Sequence, residues 1–138
     1  MELIMTRATP NDWDFIREVR NASSSGFSSQ GAISPDKHKA FMEKCGGNYF
    51  IARRGNHKIG FIGEVEGDIR FAIAPSFRGK SLASSMLIVF QEKVTDKTLS
   101  GKVKTTNPAS IKTFLKAGWK KNPATQLIGG EEYIIFEK

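Results

Sequence analysis

Apolar positions change their period along the chain, and the changes divide it into elements. The segment "ELIMTRA" (2–8) reads as a strand. After Pro10, Asn11 or Asp12 can cap a helix that carries Trp13, Ile16 and Val19 at helical spacing. A Ser- and Gly-rich stretch, 21–34, reads as a loop. Ser34-Pro35 then opens a second helix, with Ser as the cap and Pro at its first position, and His38, Phe41 and Met42 fall on adjacent turns. From Asn48 the period shortens. "NYFIARR", "HKIGFIGEV" and "DIRFAIAP" are separated by the turn signals "GN" and "EGD", which predicts an antiparallel meander. Helical spacing returns with Leu82, Met86, Phe90 and Val94 on one face. "SGKVKTT" reads as a strand, and "NPASIKTFLKAGW" as a short helix capped by Asn and ended by Gly118. "EEYIIFEK" closes the chain as a strand. The expected architecture is one domain, 1–138, of mixed α/β class, a central sheet with helices on both faces.

Composition narrows the class. No apolar run approaches the roughly 18 residues of a membrane span, and the N-terminus lacks the pattern of a secretory signal. Cys45 is the one cysteine, so no internal disulfide can form, and no cluster of metal ligands stands out. A cytoplasmic protein without a metal is the expectation, with monomer and homodimer both open. The net charge of +7 is dispersed, with short clusters at 53–54 and 116–121. Such charge reads as a solvated surface or as an attraction for an anionic ligand, ahead of nucleic acid. The ten Phe and two Trp fall mostly at core spacings, so packing accounts for them and no nucleic-acid partner is expected.

The junction "FAIAPSFRGKSLASSML" changes this picture. A strand ends at Pro75, which cannot donate to a neighbouring strand. A helix follows whose first turn holds Gly79, Ser81, Ala83 and Ser84, with Arg78 and Lys80 adding charge. Helix N-termini expose unpaired N–H groups and a partial positive charge, and small residues let a phosphate come close to the backbone. The turn suits a polyanion, although an ordinary strand–helix loop has a similar composition.

This segment, together with "NPASIKTFLKAGW" some two dozen residues later, resembles the GNAT superfamily of acetyl-CoA-dependent N-acetyltransferases. Ile73-x-Pro75, Arg78 and Ala83 match the first part of its signature. Asn107, Ala109, Ser110, Ile111, Gly118 and Trp119 match the second. The resemblance implies a GNAT-like, mostly antiparallel sheet and acetyl-CoA as cosubstrate. Its implied cofactor residues are Ala72, Ile73 and Ala74 along the strand edge, the turn Arg78, Gly79, Lys80, Ser81, Leu82, Ala83 and Ser84 for the pyrophosphate, Asn107 for the pantetheine arm, Phe114, and Lys116 for a CoA phosphate. It also implies an oxyanion donor among the backbone N–H groups near Ala72–Ile73.

Two positions depart from the signature. Ser81 replaces the central Gly, which is tolerable if its φ stays negative. Phe114 stands where many members carry a Tyr that protonates the departing thiolate. Water, another side chain, departure as the thiolate, or a CoA-binding protein without turnover all remain open there.

The front half, "TRATPNDWDFIREVRN … GFSSQGAISPDKHKAF", resembles the bacterial nucleotide-aminosugar N-acetyltransferases of pseudaminic-acid type, through Arg20, Asn21, Phe27, Ile33, Ser34 and His38. The resemblance implies that Arg20, Asn21, Phe27 and His38 meet the acceptor, a small-molecule amine of nucleotide-sugar type. Other amines, such as a protein N-terminus or a small antibiotic, keep the same chemistry. Taking the amine's proton needs a base. The candidates are Glu64 and His38, ahead of Asp68.

Overall fold

The computed structural model describes residues 2–23, 32–79 and 81–138. Its elements in chain order are β1 (Leu3–Arg7), α1 (Trp13–Asn21), α2 (Pro35–Cys45), β2 (Phe50–Arg54), β3 (His57–Val65), β4 (Asp68–Ile73), α3 (Leu82–Lys93), β5 (Ser100–Lys104), α4 (Pro108–Lys116), β6 (Lys120–Ile128) and β7 (Glu131–Glu137). The strands form one seven-stranded sheet in the order β1-β2-β3-β4-β5-β7-β6. Every neighbouring pair is antiparallel except β4 and β5. The expected meander is present, and the sheet has the predicted helices on both faces.

Alternation along the strands explains the two layers. On one face Ile59, Ile73, Val103 and Phe136 pack with Met86, Leu87 and Phe90 of α3 and with Phe114 of α4. On the other, Ile51, Phe61 and Ala72 pack with Ile16 and Val19 of α1 and Met42 of α2. Period-2 strands buried on both sides need helices on both sides.

Local details follow the residues that cap each element. Ser34 accepts from the Lys37 N–H at 3.3 Å and Asn107 from the Ser110 N–H at 3.2 Å, as expected of N-caps. Asp12 differs from the expected cap. It ends a short 3-10 turn, and its buried carboxylate accepts from the Thr9 N–H and from Lys58 on β3, both at 2.9 Å, so it ties the entry of α1 to the sheet. Its carboxyl is subject to burial, which raises its pKa, but the bonds from Thr9 and Lys58 hold it below the ordinary value.

Strand β6 was not expected. Its side chains are mostly exposed, with no apolar alternation, because it lies at the outer edge of the sheet. Only the Gly129-Gly130 pair, both at positive φ, marks its hairpin with β7.

Candidate active site

The site is set by a failure of pairing. Strand β4 is zipped to β3 along its whole length, from Val65↔Asp68 to Gly60↔Ile73. On its other edge it meets β5 at the single register Asp68↔Ser100, supported by a Ser100 N–H to Gly67 carbonyl bond of 2.9 Å. Beyond that point the two parallel strands diverge. Ala74 donates its N–H to Ile59 at 2.8 Å. With the antiparallel register this directs the groups of Ala72 and Ala74 toward β3, and those of Ile69, Phe71 and Ile73 toward the opening. The expected free edge is therefore present, but its donors belong to Phe71 and Ile73 and not to Ala72 or Ala74.

The vertex is held by Glu64. Its carboxylate accepts from Asn48 at 2.7 Å, from Lys97 at 2.7 Å and from the Gly67 N–H at 2.6 Å. Burial would raise this carboxyl, yet the three donors together hold it below the ordinary carboxylate value. Gly67 has φ +85°, and a Cβ there would lie 2.5 Å from the Thr98 carbonyl oxygen. The preference for Glu64 as base is corrected on this geometry. Both its oxygens already accept strong bonds, and it does not line the cavity described below. What holds the turn is a buried acceptor, and Glu64 supplies it.

At the far end of β4 the chain turns through Arg78 and Gly79 into α3. Among the described residues no side chain caps the N-terminus of α3. Gly79 has φ +77° and open space where a Cβ would lie. Ser81 has φ +58°, the left-handed region, so the condition of a negative φ is not met and this residue bears the strain that a Gly would avoid. The Arg78 N–H is directed to the Pro75 carbonyl at 3.4 Å. Its guanidinium reaches the Ile73 carbonyl at 3.2 Å, the Ala22 carbonyl at 3.1 Å and the Ser23 hydroxyl at 2.6 Å. Arg78 thus straps the turn to the end of α1. Ser84 is buried and its hydroxyl donates to the Ser81 carbonyl at 3.1 Å. Leu82 and Ala83 pack partly on the core.

Between β4, β5 and the first two helices lies a cavity of about 300 Å³. It brings together Arg20, His38, Asp68, Asn107 and Phe114 from the expected set. His38 is 5% exposed. Burial first, and then the charges of Arg17 and Arg20, lower its pKa, so the imidazole is neutral at pH 7. One Asp68 oxygen is paired with Arg70 Nε at 3.4 Å, and the other is buried with no hydrogen-bond partner. Burial lowers the pKa of Arg20, and Arg70 lowers it further. Tyr49, whose hydroxyl makes no bond among the described residues, is pushed up to about 12, chiefly by burial.

Other expected residues take other positions. Asn21 points back at its own loop, donating to the Ile33 carbonyl at 3.2 Å and accepting from the Ile33 N–H at 2.9 Å. Lys116 is exposed in the last turn of α4, away from the cavity. Phe114 is 1% exposed and stacks on Phe136 at 5.0 Å, with Trp119 at 5.1 Å and Phe71 at 5.8 Å. Phe27 and Lys80 lie outside the described residues.

Four polar cavity residues are not among those the sequence led us to expect: Tyr49, Arg70, Lys102 and Tyr133. For Arg70 a signal existed, since alternation in "DIRFAI" puts it on the same face as Asp68 and Ala72. For the others the strand partners had to be known first. Among the described residues no group of His, Cys, Asp and Glu could hold a metal ion, and no helix is long and apolar enough to cross a membrane.

The sequence matches no protein-family model and no curated protein. The structure, however, is similar to many solved ones. A spermidine N-acetyltransferase from Vibrio cholerae, in complex with CoA and spermine, superposes with a TM-score of 0.80 at 16% identity, over 97% of this chain and 93% of that one. A ribosomal-protein-alanine N-acetyltransferase from Brucella melitensis gives 0.81 at 16% identity, over 98% of both chains. A GNAT superfamily phosphinothricin acetyltransferase from Sinorhizobium meliloti, in complex with acetyl-CoA, gives 0.77 at 16% identity, over 100% of this chain and 88% of that one. The chain therefore has the GNAT fold.

Proposed function

We propose that this protein is an acetyl-CoA-dependent N-acetyltransferase whose acceptor is the primary amine of a nucleotide-linked aminosugar. The observation that carries the reading is the single-register contact between β4 and β5, which opens a strand edge beside an uncapped helix N-terminus. Acetyl-CoA supplies an acyl group activated as a thioester. The residues fit such a cosubstrate: the N–H groups of Phe71 and Ile73 suit pantetheine amides and a developing oxyanion. The amides from Gly79 into α3 suit a diphosphate, and Asn107, whose Oδ1 caps α4, keeps its NH₂ for the pantetheine arm.

The acceptor enters from the side of α1 and α2. There Arg20 and His38 line the cavity, at positions that resemble those of aminosugar acetyltransferases. Two groups in the cavity can take the amine's proton, the neutral His38 imidazole and the unpartnered oxygen of Asp68. The excess of positive charge in the cavity favours an anionic acceptor over a polyamine. Phe114 has no proton to give, so the leaving sulfur departs as thiolate or is met by water.

A thiol-release assay tests the reading, with acetyl-CoA and a panel of amines that includes nucleotide-linked 4-aminosugars. Turnover on the aminosugar nucleotides is the expected result. Release with no amine in the panel, despite acetyl-CoA binding, would overturn catalysis. Release with only uncharged or cationic amines would overturn the acceptor.

A further inference from the structure

We propose that Arg70 and Lys102 form an oxyanion subsite straddling the opening of the β4–β5 cleft, and that they select an acceptor bearing a phosphate or carboxylate. The proposal rests on the acetyltransferase reading above and adds two specificity residues that neither motif contains.

The argument begins at the vertex. Asp68 pairs with Ser100, and from there the two strands run parallel. Arg70 and Lys102 each lie two residues further along, so they stand at the same distance from the vertex, about 6–7 Å at a strand's rise. They also share a face. The neighbours of Arg70, Ile69 and Phe71, pack toward α3 and α4, and Ala72 packs toward α1. Val103 packs toward α3 and α4, and Phe114 covers Gly101. Alternation therefore turns both Arg70 and Lys102 toward the α1–α2 face, and both line the cavity.

Two like charges placed opposite one another destabilise a sheet unless something lies between them. Here the strands have parted, and the gap between the two cations is the cavity itself. Lys102 makes no ion pair among the described residues. Arg70 uses only Nε, toward Asp68 at 3.4 Å, which leaves its terminal nitrogens for a ligand. The cation–π contact with Phe41, 5.9 Å from the ring centre, holds the guanidinium over the cavity wall. Counting Arg20, three cationic side chains line the cavity against the one carboxylate of Asp68. The pair is thus built for an oxyanion, and its adjacency to Asp68 places that anion beside the amine.

The test compares Lys102→Gln, Lys102→Arg and Arg70→Gln with the unaltered protein. Lys102 is exposed and its replacement leaves the core intact. The acceptors are a nucleotide-linked aminosugar, the aminosugar 1-phosphate, the free aminosugar and an α-amino acid. The KM for the anionic acceptors should rise roughly tenfold in Lys102→Gln, the loss of one charge-assisted contact. Lys102→Arg should restore it, while the KM for acetyl-CoA stays put. Which anionic acceptor responds tells phosphate from carboxylate. If free and anionic aminosugars are used equally well, or if both Gln variants leave the acceptor KM unchanged, the subsite does not exist. Should no acceptor turn over, the acetyltransferase reading falls, and binding still judges the subsite. With CoA present to fill the diphosphate turn, inorganic pyrophosphate should raise the melting temperature of the unaltered protein and not of Lys102→Gln. Equal shifts, or none in either, would overturn the proposal.

Discussion

The two edges of strand β4 have opposite fates. Toward β3 every backbone group that faces across is paired, from Val65 to Gly60. Toward β5 one register holds and the rest of the edge is open. The same six residues thus serve as scaffold on one side and present an open edge on the other. The carboxylates on either side of the hairpin turn repeat the contrast. Glu64 accepts three bonds and braces the turn, whereas Asp68 keeps one buried oxygen without a partner and lines the cavity. An acidic residue with both oxygens engaged by close donors is a structural part. One left unsatisfied in a cavity points to a ligand.

This contrast can be broken most forcefully at the vertex. Replacing Gly67 by Ala puts a Cβ at φ +85° and 2.5 Å from the Thr98 carbonyl oxygen. We expect a loss of about 2–4 kcal/mol of stability, read by urea unfolding, together with weaker acetyl-CoA binding. Removing the brace itself, Glu64→Ala, leaves the Gly67 and Asn48 donors unanswered and should cost about 2 kcal/mol. It should leave the pH dependence of kcat unchanged, which a base could not do.

The pH dependence of stability sharpens the same point. The carboxyls of Glu64 and Asp12 have folded values below their unfolded ones, so their contribution is complete above the ordinary carboxylate range. It is lost as pH falls through the lowered values. Urea midpoints should therefore stay level from pH 7 to about 5 and decline below about 4, and a decline that is the same in Glu64→Gln would contradict the brace. Activity should respond elsewhere. If His38 takes the proton, kcat/KM has an acidic limb below the ordinary imidazole value of about 6.5, and His38→Gln removes it. If Asp68 takes it, Asp68→Asn abolishes turnover and His38→Gln leaves the limb in place.

The smallest effect expected is at the turn into α3. Ser81→Gly relieves the left-handed strain at φ +58° and should add about 1 kcal/mol of stability. A loss on thermal unfolding would show that the Ser side chain supports the turn.

Much of this arrangement was legible in the residues themselves. Elements with a buried face announced themselves by period, and caps such as Ser34 and Asn107 marked their starts. The strand–helix turn stands out through its resemblance to the GNAT signature together with the Asn107-led helix, since an ordinary strand–helix loop has a similar composition. Strand β6 was silent because its side chains are mostly exposed at the sheet's edge, so no apolar alternation was required of it. The roles of Glu64 and Asp68 could not be separated in sequence, because both flank one turn, and only the partners brought in from Asn48 and Lys97 distinguish them. Arg70 and Lys102 meet only when β4 and β5 become neighbours, and their separation in sequence conceals it.

The central claim is that the free donors of Phe71 and Ile73, on the open edge of β4, receive the cosubstrate. Amide hydrogen exchange with and without acetyl-CoA tests it residue by residue. Exchange at Phe71 and Ile73 should slow markedly on addition, while Ala72 and Ala74, already turned toward β3, stay as they were. Unchanged exchange at Phe71 and Ile73 under saturating acetyl-CoA would contradict the account.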